Sequence, residues 1–325
     1  MFVVYLHSHY TGDEVAHYIF ITICAAATAT ECEDFMNMLK TTLLMALLTG
    51  LMVAIGGAFA GETGAFIMLL ISIGMNFFSY WFSADMVLKS YDAKEVDANS
   101  APQLYNLVAK LAQNAKLPMP RVYIINSDVP NAFATGRNPE HAAVAVTTGI
   151  MNVLDYNEIS GVLGHELAHV KHRDILISTI AASMAGVISM IAQMAQWAAI
   201  FGGRSDDEDN GGGILGTLFT IIVAPFAAML IQMAISRSRE YDADKTGGEF
   251  CGNPMYLASA LEKIEYYAQH SAPLHDASPS TAHMFIINPL ENAKVALKSL
   301  FSTHPATTDR IARLREQAAV LPAHT

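Results

Sequence analysis

Two histidines four residues apart, with a glutamate after the first, form the stretch best equipped for chemistry: His165-Glu166-Leu167-Ala168-His169. On a helix, positions i and i+4 share a face, so His165 and His169 can offer two imidazole nitrogens to one metal ion. Glu166 starts next to that ion and can take the proton of a water attacking a substrate carbonyl. Zinc suits such a set, because it accepts nitrogen and oxygen ligands and a catalytic site keeps one position open. The same letters also occur by chance in a helix with two packed or exposed histidines, so a third ligand must come from elsewhere.

Ser236-Arg-Ser-Arg-Glu-Tyr-Asp-Ala-Asp244 can supply it. Glu240 and Asp244 are again i, i+4 and share one helix face. Glu240 can complete a His-His-Glu set for one zinc ion per chain. Asp244 is placed to accept the remaining ring N–H of a ligand histidine, which fixes the tautomer and makes the ring a better ligand. An ordinary charged surface helix would look similar. What favours the metal reading is the HELAH stretch, together with a hydrophobic insert that returns the chain to the same side.

These residues need elements to hold them. A helix is expected from about Asp155 to His172, opened by the Asp155-x-x-Glu158 signal and carrying Ile159, Val162, Leu163, Leu167 and Val170 as a partial apolar stripe. Upstream, the spacing predicts a helix over Ala101–Ala115 and short strands over Arg121–Asn126 and Ala142–Thr147. Asn131–Arg137 between them reads as a loop. Asn131 can hold substrate backbone there, and the Ala142–Thr147 strand is expected to offer a sheet edge to an extended peptide.

The composition is that of a membrane protein. Of 325 residues, 52% are hydrophobic and 15% charged, against roughly 25% charged in soluble domains. Net charge is −11 with no basic block, which argues against nucleic acid as a partner. Three cysteines make no disulfide framework, so any metal rests on His and carboxylate.

Thr41–Ala60 and Thr63–Ala84 carry no charge over 20 and 22 residues, enough for two bilayer crossings joined by a turn across Gly57–Gly64. Ile175–Gly203 and Asn210–Ser236 repeat the pattern. The layout expected is therefore an N-terminal extension over 1–35, a first transmembrane hairpin over 36–84, catalytic segments over 85–174 and 237–325, and a second hydrophobic hairpin over 175–236 between them. The extension reads either as sequence upstream of a native start at Met36 or Met38, or as a poorly ordered tail. All Lys and Arg but Lys40 and Arg204 fall in the catalytic segments, which the positive-inside tendency makes cytoplasmic.

With LPMPRVYII, NAFATGRNPEHAAVAVTTGI, GVLGHELAHVKHRD, SRSREYDAD and THPATTDRIARL in that order, residues 36–318 resemble the HtpX family of bacterial membrane-bound zinc metalloproteases, relatives of the prenyl-protein CAAX endopeptidases. The resemblance implies zinc on His165, His169 and Glu240, with Glu166 as catalytic base. It also implies an inner-membrane endopeptidase acting on misfolded or damaged membrane proteins. The expected fold is an α-helical membrane protein with a mixed α+β, zincin-like protease domain, mostly helical with a small sheet of short strands.

Two other functions fit the same motifs: processing of one defined substrate, such as a lipidated C-terminus, and a zinc-bearing scaffold without proteolysis. In the tail, His304 or Arg310 can sit over the metal and stabilise an oxyanion. Arg310 can equally tie the last helix to the domain through a carboxylate.

Overall fold

A computed structural model describes residues 29–176, 178–180, 237–270 and 305–320. Residues 1–28, the body of the second hydrophobic hairpin (181–236) and His304 lie outside the described residues.

The first long helix, α1 (Ala29–Ser90), is broken at Ala60 and Gly61, where φ reaches +60° at the glycine. Its two arms fold back on each other. The Asn76 side-chain amide donates to Thr49 Oγ1 at 2.9 Å. At Gly56 and Gly64 a Cβ on either residue would strike the other's carbonyl oxygen. That close approach explains why the reversal takes two residues, not the whole Gly57–Gly64 stretch. Ala60–Ser90, 31 residues that include an 18-residue stretch of mean hydropathy 1.7, is long and apolar enough to cross a membrane. Thr41–Ala54 is a shorter apolar helix, and Phe66, Leu70 and Phe77 lie exposed on the second arm.

After α1 come β1 (Lys94–Val96), α2 (Pro102–Ala115), β2 (Arg121–Ile125), β3 (Ala132–Thr135), a 3₁₀ turn at Pro139–His141, β4 (Ala143–Thr147) and α3 (Thr148–Val153). The helices α4 (Tyr156–Lys171), α5 (Arg237–Cys251), α6 (Pro254–His270) and α7 (Thr307–Val320) follow. The sheet order is β1-β2-β4-β3, with only the β2–β4 pair parallel.

This corrects two expectations. Asn131–Arg137 is not a loop throughout, because Ala132–Thr135 forms β3. The Ala142–Thr147 strand is not an edge, because β4 lies between β2 and β3 and every one of its residues is buried. Val144 and Val146 face the helices, while Ala143 and Ala145 face Val87 and Leu88 at the end of α1. A strand covered on both faces loses its alternation of apolar and polar residues. Phe133 holds β3 down on that second face, against Tyr91 at 5.6 Å between ring centroids. The C-terminal end of α1 is thus packed under the sheet, and Asp85 pairs with Arg121 at 3.1 Å beside it.

On the other face α2, α4, α6 and α7 share one core, with Val108, Leu163, Leu167, Leu261 and Leu314 among its buried members. Helix α4 begins as expected. Asp155 Oδ1 accepts from the amides of Asn157 and Glu158, both at 2.9 Å, and Glu158 accepts from the Asp155 amide at 2.8 Å. Glu158 also receives Lys263 Nζ from α6, at 2.7 Å.

Helix α5 crosses α4 with backbones in contact. A Cβ at Gly247 would stand 2.6 Å from the His165 amide nitrogen and 2.7 Å from its Cα. Gly247→Ala is therefore expected to lower stability by about 1–3 kcal/mol through overpacking, more than the ~0.5–1 kcal/mol that replacing a helical glycine returns. Because α5 also carries Glu240, the bound-metal content should fall with the melting temperature, and metal analysis beside a thermal scan checks both.

Candidate metal centre

One turn apart on α4, His165 and His169 face α5, which supplies Glu240. The two Nε2 atoms are 3.2 Å apart. Glu240 Oε2 lies 3.6 Å from His165 Nε2, and Oε1 lies 3.5 Å from His169 Nε2. A tetrahedral ion with bonds of 2.0–2.1 Å spaces its ligands roughly 3.3 Å apart. The three side chains thus stand at the separation a single ion requires, and their nitrogen and oxygen donors suit a divalent transition metal. They are the one such group among the described residues.

Each imidazole is oriented from behind. His165 Nδ1 donates to Asp244 Oδ1 at 2.9 Å, and His169 Nδ1 donates to Asp174 Oδ2 at 3.2 Å. Both rings therefore present Nε2 to the shared point. Behind Asp244 lies Arg310, 1% exposed, which donates through Nε at 2.8 Å and Nη2 at 2.6 Å. Of the two roles open to Arg310, the geometry is that of the tie: it holds α7 to α5 on the Nδ1 side of His165. It is not placed over the Nε2 atoms, where an oxyanion would form.

Asn131 is buried just before β3, with its amide on Thr147 Oγ1 at 2.9 Å. Glu166, next to the ligand face, reaches the sheet. The Ala134 N–H donates to its Oε2 at 2.9 Å. Since Thr147 donates its amide to the Asn131 carbonyl, alternation along the ladder turns the polar groups of Ala132 and Ala134 away from β4. Among the described residues β3 is an edge of the sheet, and Glu166 meets that edge at Ala134.

Charge follows from this packing. Burial would raise the Asp244 pKa, but the Arg310 guanidinium outweighs it and holds the carboxyl at about 2. Burial would lower that of His169, yet the Glu240 carboxylate, followed by Asp174, lifts it to about 9. In the metal-free protein at pH 7 the His169 ring thus carries a proton that an incoming ion must displace. Metal uptake is expected to release about one proton from this ring, and its affinity should weaken as pH falls below 9. The proton's own stabilisation of the metal-free fold has the opposite sense: it is fully present below pH ~6.5 and lost as pH rises through 9. Calorimetry of metal binding in buffers of different ionisation enthalpy measures the released proton directly.

Residues 98–318 match the family described as peptidase family M48. The chain belongs to that family. Among its M48 relatives, the protease HtpX homolog of Persephonella marina is 55% identical over 286 residues, covering 87% of this chain and 98% of that one. The homolog from Methylibium petroleiphilum is 58% identical over 280 residues, 86% and 96% of the two chains. A crystal structure of S. mikatae Ste24p aligns with a TM-score of 0.47 at 17% identity, over 87% of this chain and 66% of that one. The M48 chain is a membrane metalloendopeptidase, and the HtpX resemblance extends over most of its length.

Three parts of the M48 site have roles that the sequence alone does not reveal, although Asp174 and Arg239 fall inside the GVLGHELAHVKHRD and SRSREYDAD stretches. Asp174 follows His169 by five residues, beyond the end of α4, and reaches the ring only because the chain reverses at Arg173, where φ is +58°. The Asp174 amide then donates back to the His169 carbonyl at 2.9 Å. Arg239, beside Glu240, contacts Asp174 at 3.4 Å. The Ala134 N–H is a backbone group, and no residue type announces it.

Proposed function

We propose that the chain is a zinc-dependent endopeptidase of the bacterial inner membrane that hydrolyses peptide bonds of misfolded or damaged membrane proteins. Its active site faces the cytoplasm, and the chain crosses the bilayer more than once. The observation that carries the chemistry is the convergence of His165, His169 and Glu240 beside a carboxylate tied to the sheet edge. The apolar α1 arm, whose C-terminal end packs on that sheet through Val87 and Leu88, supports a site next to the membrane.

Zinc held by these three side chains would polarise the scissile carbonyl and acidify water towards pKa ~7. The chain's own groups supply the rest. Glu166, oriented by the Ala134 N–H, takes the proton of the attacking water and passes it to the leaving amine. A substrate in extended conformation pairs with the outward groups of Ala132 and Ala134, so that β3 takes the part expected of the Ala142–Thr147 strand. Asn131 shapes the start of that edge. Asp244 and Asp174 keep the ligand rings in one tautomer.

The test is casein cleavage in detergent by metal-free protein, before and after zinc is added. Zinc-dependent cleavage supports the proposal. Stoichiometric zinc with no cleavage of casein or of a peptide library would replace it with a scaffold. A peptide library also decides specificity: scattered cuts fit quality control, and one dominant motif would fit processing of a defined substrate.

A further inference from the structure

We propose that Asp174 and Arg239 form a positioning pair that sets the His169 ring and the Glu240 carboxylate against each other across the metal centre. The proposal rests on the metallopeptidase function above and adds a specific origin for the geometry of two of its three ligands.

The two ligand histidines have parallel supports. His165 Nδ1 meets Asp244, which is braced by Arg310; His169 Nδ1 meets Asp174, which is met by Arg239. The second relay joins residues 65 positions apart, on opposite sides of the 181–236 segment. Arg239 directly precedes Glu240. An Arg239–Asp174 contact therefore holds the first turn of α5, with its ligand, against the loop that orients His169. Both members are withdrawn from solvent, with side chains 15% and 6% exposed, so the pair is not one of the exposed ion pairs that contribute almost nothing.

The helical residues after Asp174 are fixed as well. Thr179 Oγ1 lies 3.0 Å from Thr135 Oγ1, and both residues are buried. Thr135 ends β3, the strand whose Ala134 amide holds Glu166. The short stretch from Asp174 to Thr179 thus touches a metal ligand at one end and the strand that orients the base at the other. At 3.4 Å the Arg239 contact is looser than the 2.6 Å contact of Arg310, so Asp174 is expected to matter more than Arg239.

The experiment uses the full chain in detergent in a Glu166→Gln background, which removes self-cleavage. The readouts are the zinc dissociation constant by chelator competition and the visible spectrum of the cobalt-substituted protein. Asp174→Ala is expected to weaken zinc binding about 10–100-fold and to alter the cobalt bands. Asp174→Asn, which still accepts the Nδ1–H, should recover most of the affinity. Arg239→Met should weaken binding by less than Asp174→Ala does, and should add nothing once Asp174 is alanine.

Unchanged affinity and spectrum in Asp174→Ala, at an unchanged melting temperature, would overturn the proposal. If Asp174→Ala does not fold, the Asp174→Asn and Arg239→Met pair decides. Additive effects overturn the proposal, and non-additive ones support it. If the Glu166→Gln parent itself binds no zinc, the metallopeptidase function fails first and takes this proposal with it.

Discussion

Glu166→Gln is expected to keep the fold and the metal while lowering peptide hydrolysis by about 10²–10⁴-fold. The reason lies in what Glu166 touches. It is not one of the three converging side chains, so replacing it removes no ligand. Its Oε2 accepts the Ala134 amide at 2.9 Å, and the glutamine carbonyl can accept the same bond. The variant therefore keeps the shape and the hydrogen bond and loses only the capacity to carry a proton. The fall should appear in kcat with KM nearly unchanged, because substrate pairing along β3 does not need the charge. Glu240→Ala gives the contrasting result, since there the metal itself is lost. Metal content and steady-state kinetics on a fluorogenic peptide separate the two. Hydrolysis at the parent rate by a fully metal-loaded Glu166→Gln chain would remove Glu166 from the role of base.

What the sequence showed of this site divides along a physical line. His165, His169, Glu240 and Asp244 lie on helices, where a spacing of four fixes a common face without knowledge of the rest of the fold. Asp155 and Glu158 announced the start of α4 for the same reason, because a capping box is a local bond pattern. The interior place of β4 is not legible in the sequence because it depends on which strands flank it, and those contacts are not local. β3 does not stand out in the sequence because it is four residues long and two of them, Ala132 and Ala134, carry little strand preference of their own; the packing of Phe133 on Tyr91 and the pairing with β4 make it a strand. β1 was not anticipated, with three residues of which two are exposed and charged. Asp174 stayed hidden because its approach to His169 depends on a single left-handed residue, Arg173. The two readings of Arg310 could be separated only by seeing which side of His165 it occupies.

Removing Asp244 is expected to have the largest effect on stability of any single change around the metal centre. Asp244 and Arg310 are both buried, 2% and 1% exposed, and meet through two bonds of 2.6 and 2.8 Å. Asp244→Ala leaves the guanidinium without its carboxylate in the interior, a loss of about 3–5 kcal/mol for a broken buried pair. It also releases the Nδ1 of His165, so metal affinity should drop about 10–100-fold on top of the lowered melting temperature. The two losses can be told apart in the metal-free protein, where only the first remains.

Protonating Asp244 in the unaltered chain should reproduce part of the first loss. The Arg310 guanidinium holds its carboxyl at about 2, below the ordinary aspartate value of 3.8, so the charged form favours the fold. That contribution, roughly 2 kcal/mol, is fully present above pH ~4 and is lost as pH falls towards 2. Denaturant titrations of the metal-free parent and of Asp244→Ala should therefore converge as the solution is acidified. Curves that stay parallel from pH 5 to pH 2 would mean that the ion pair contributes nothing to the fold, and that Arg310 holds α7 by packing alone.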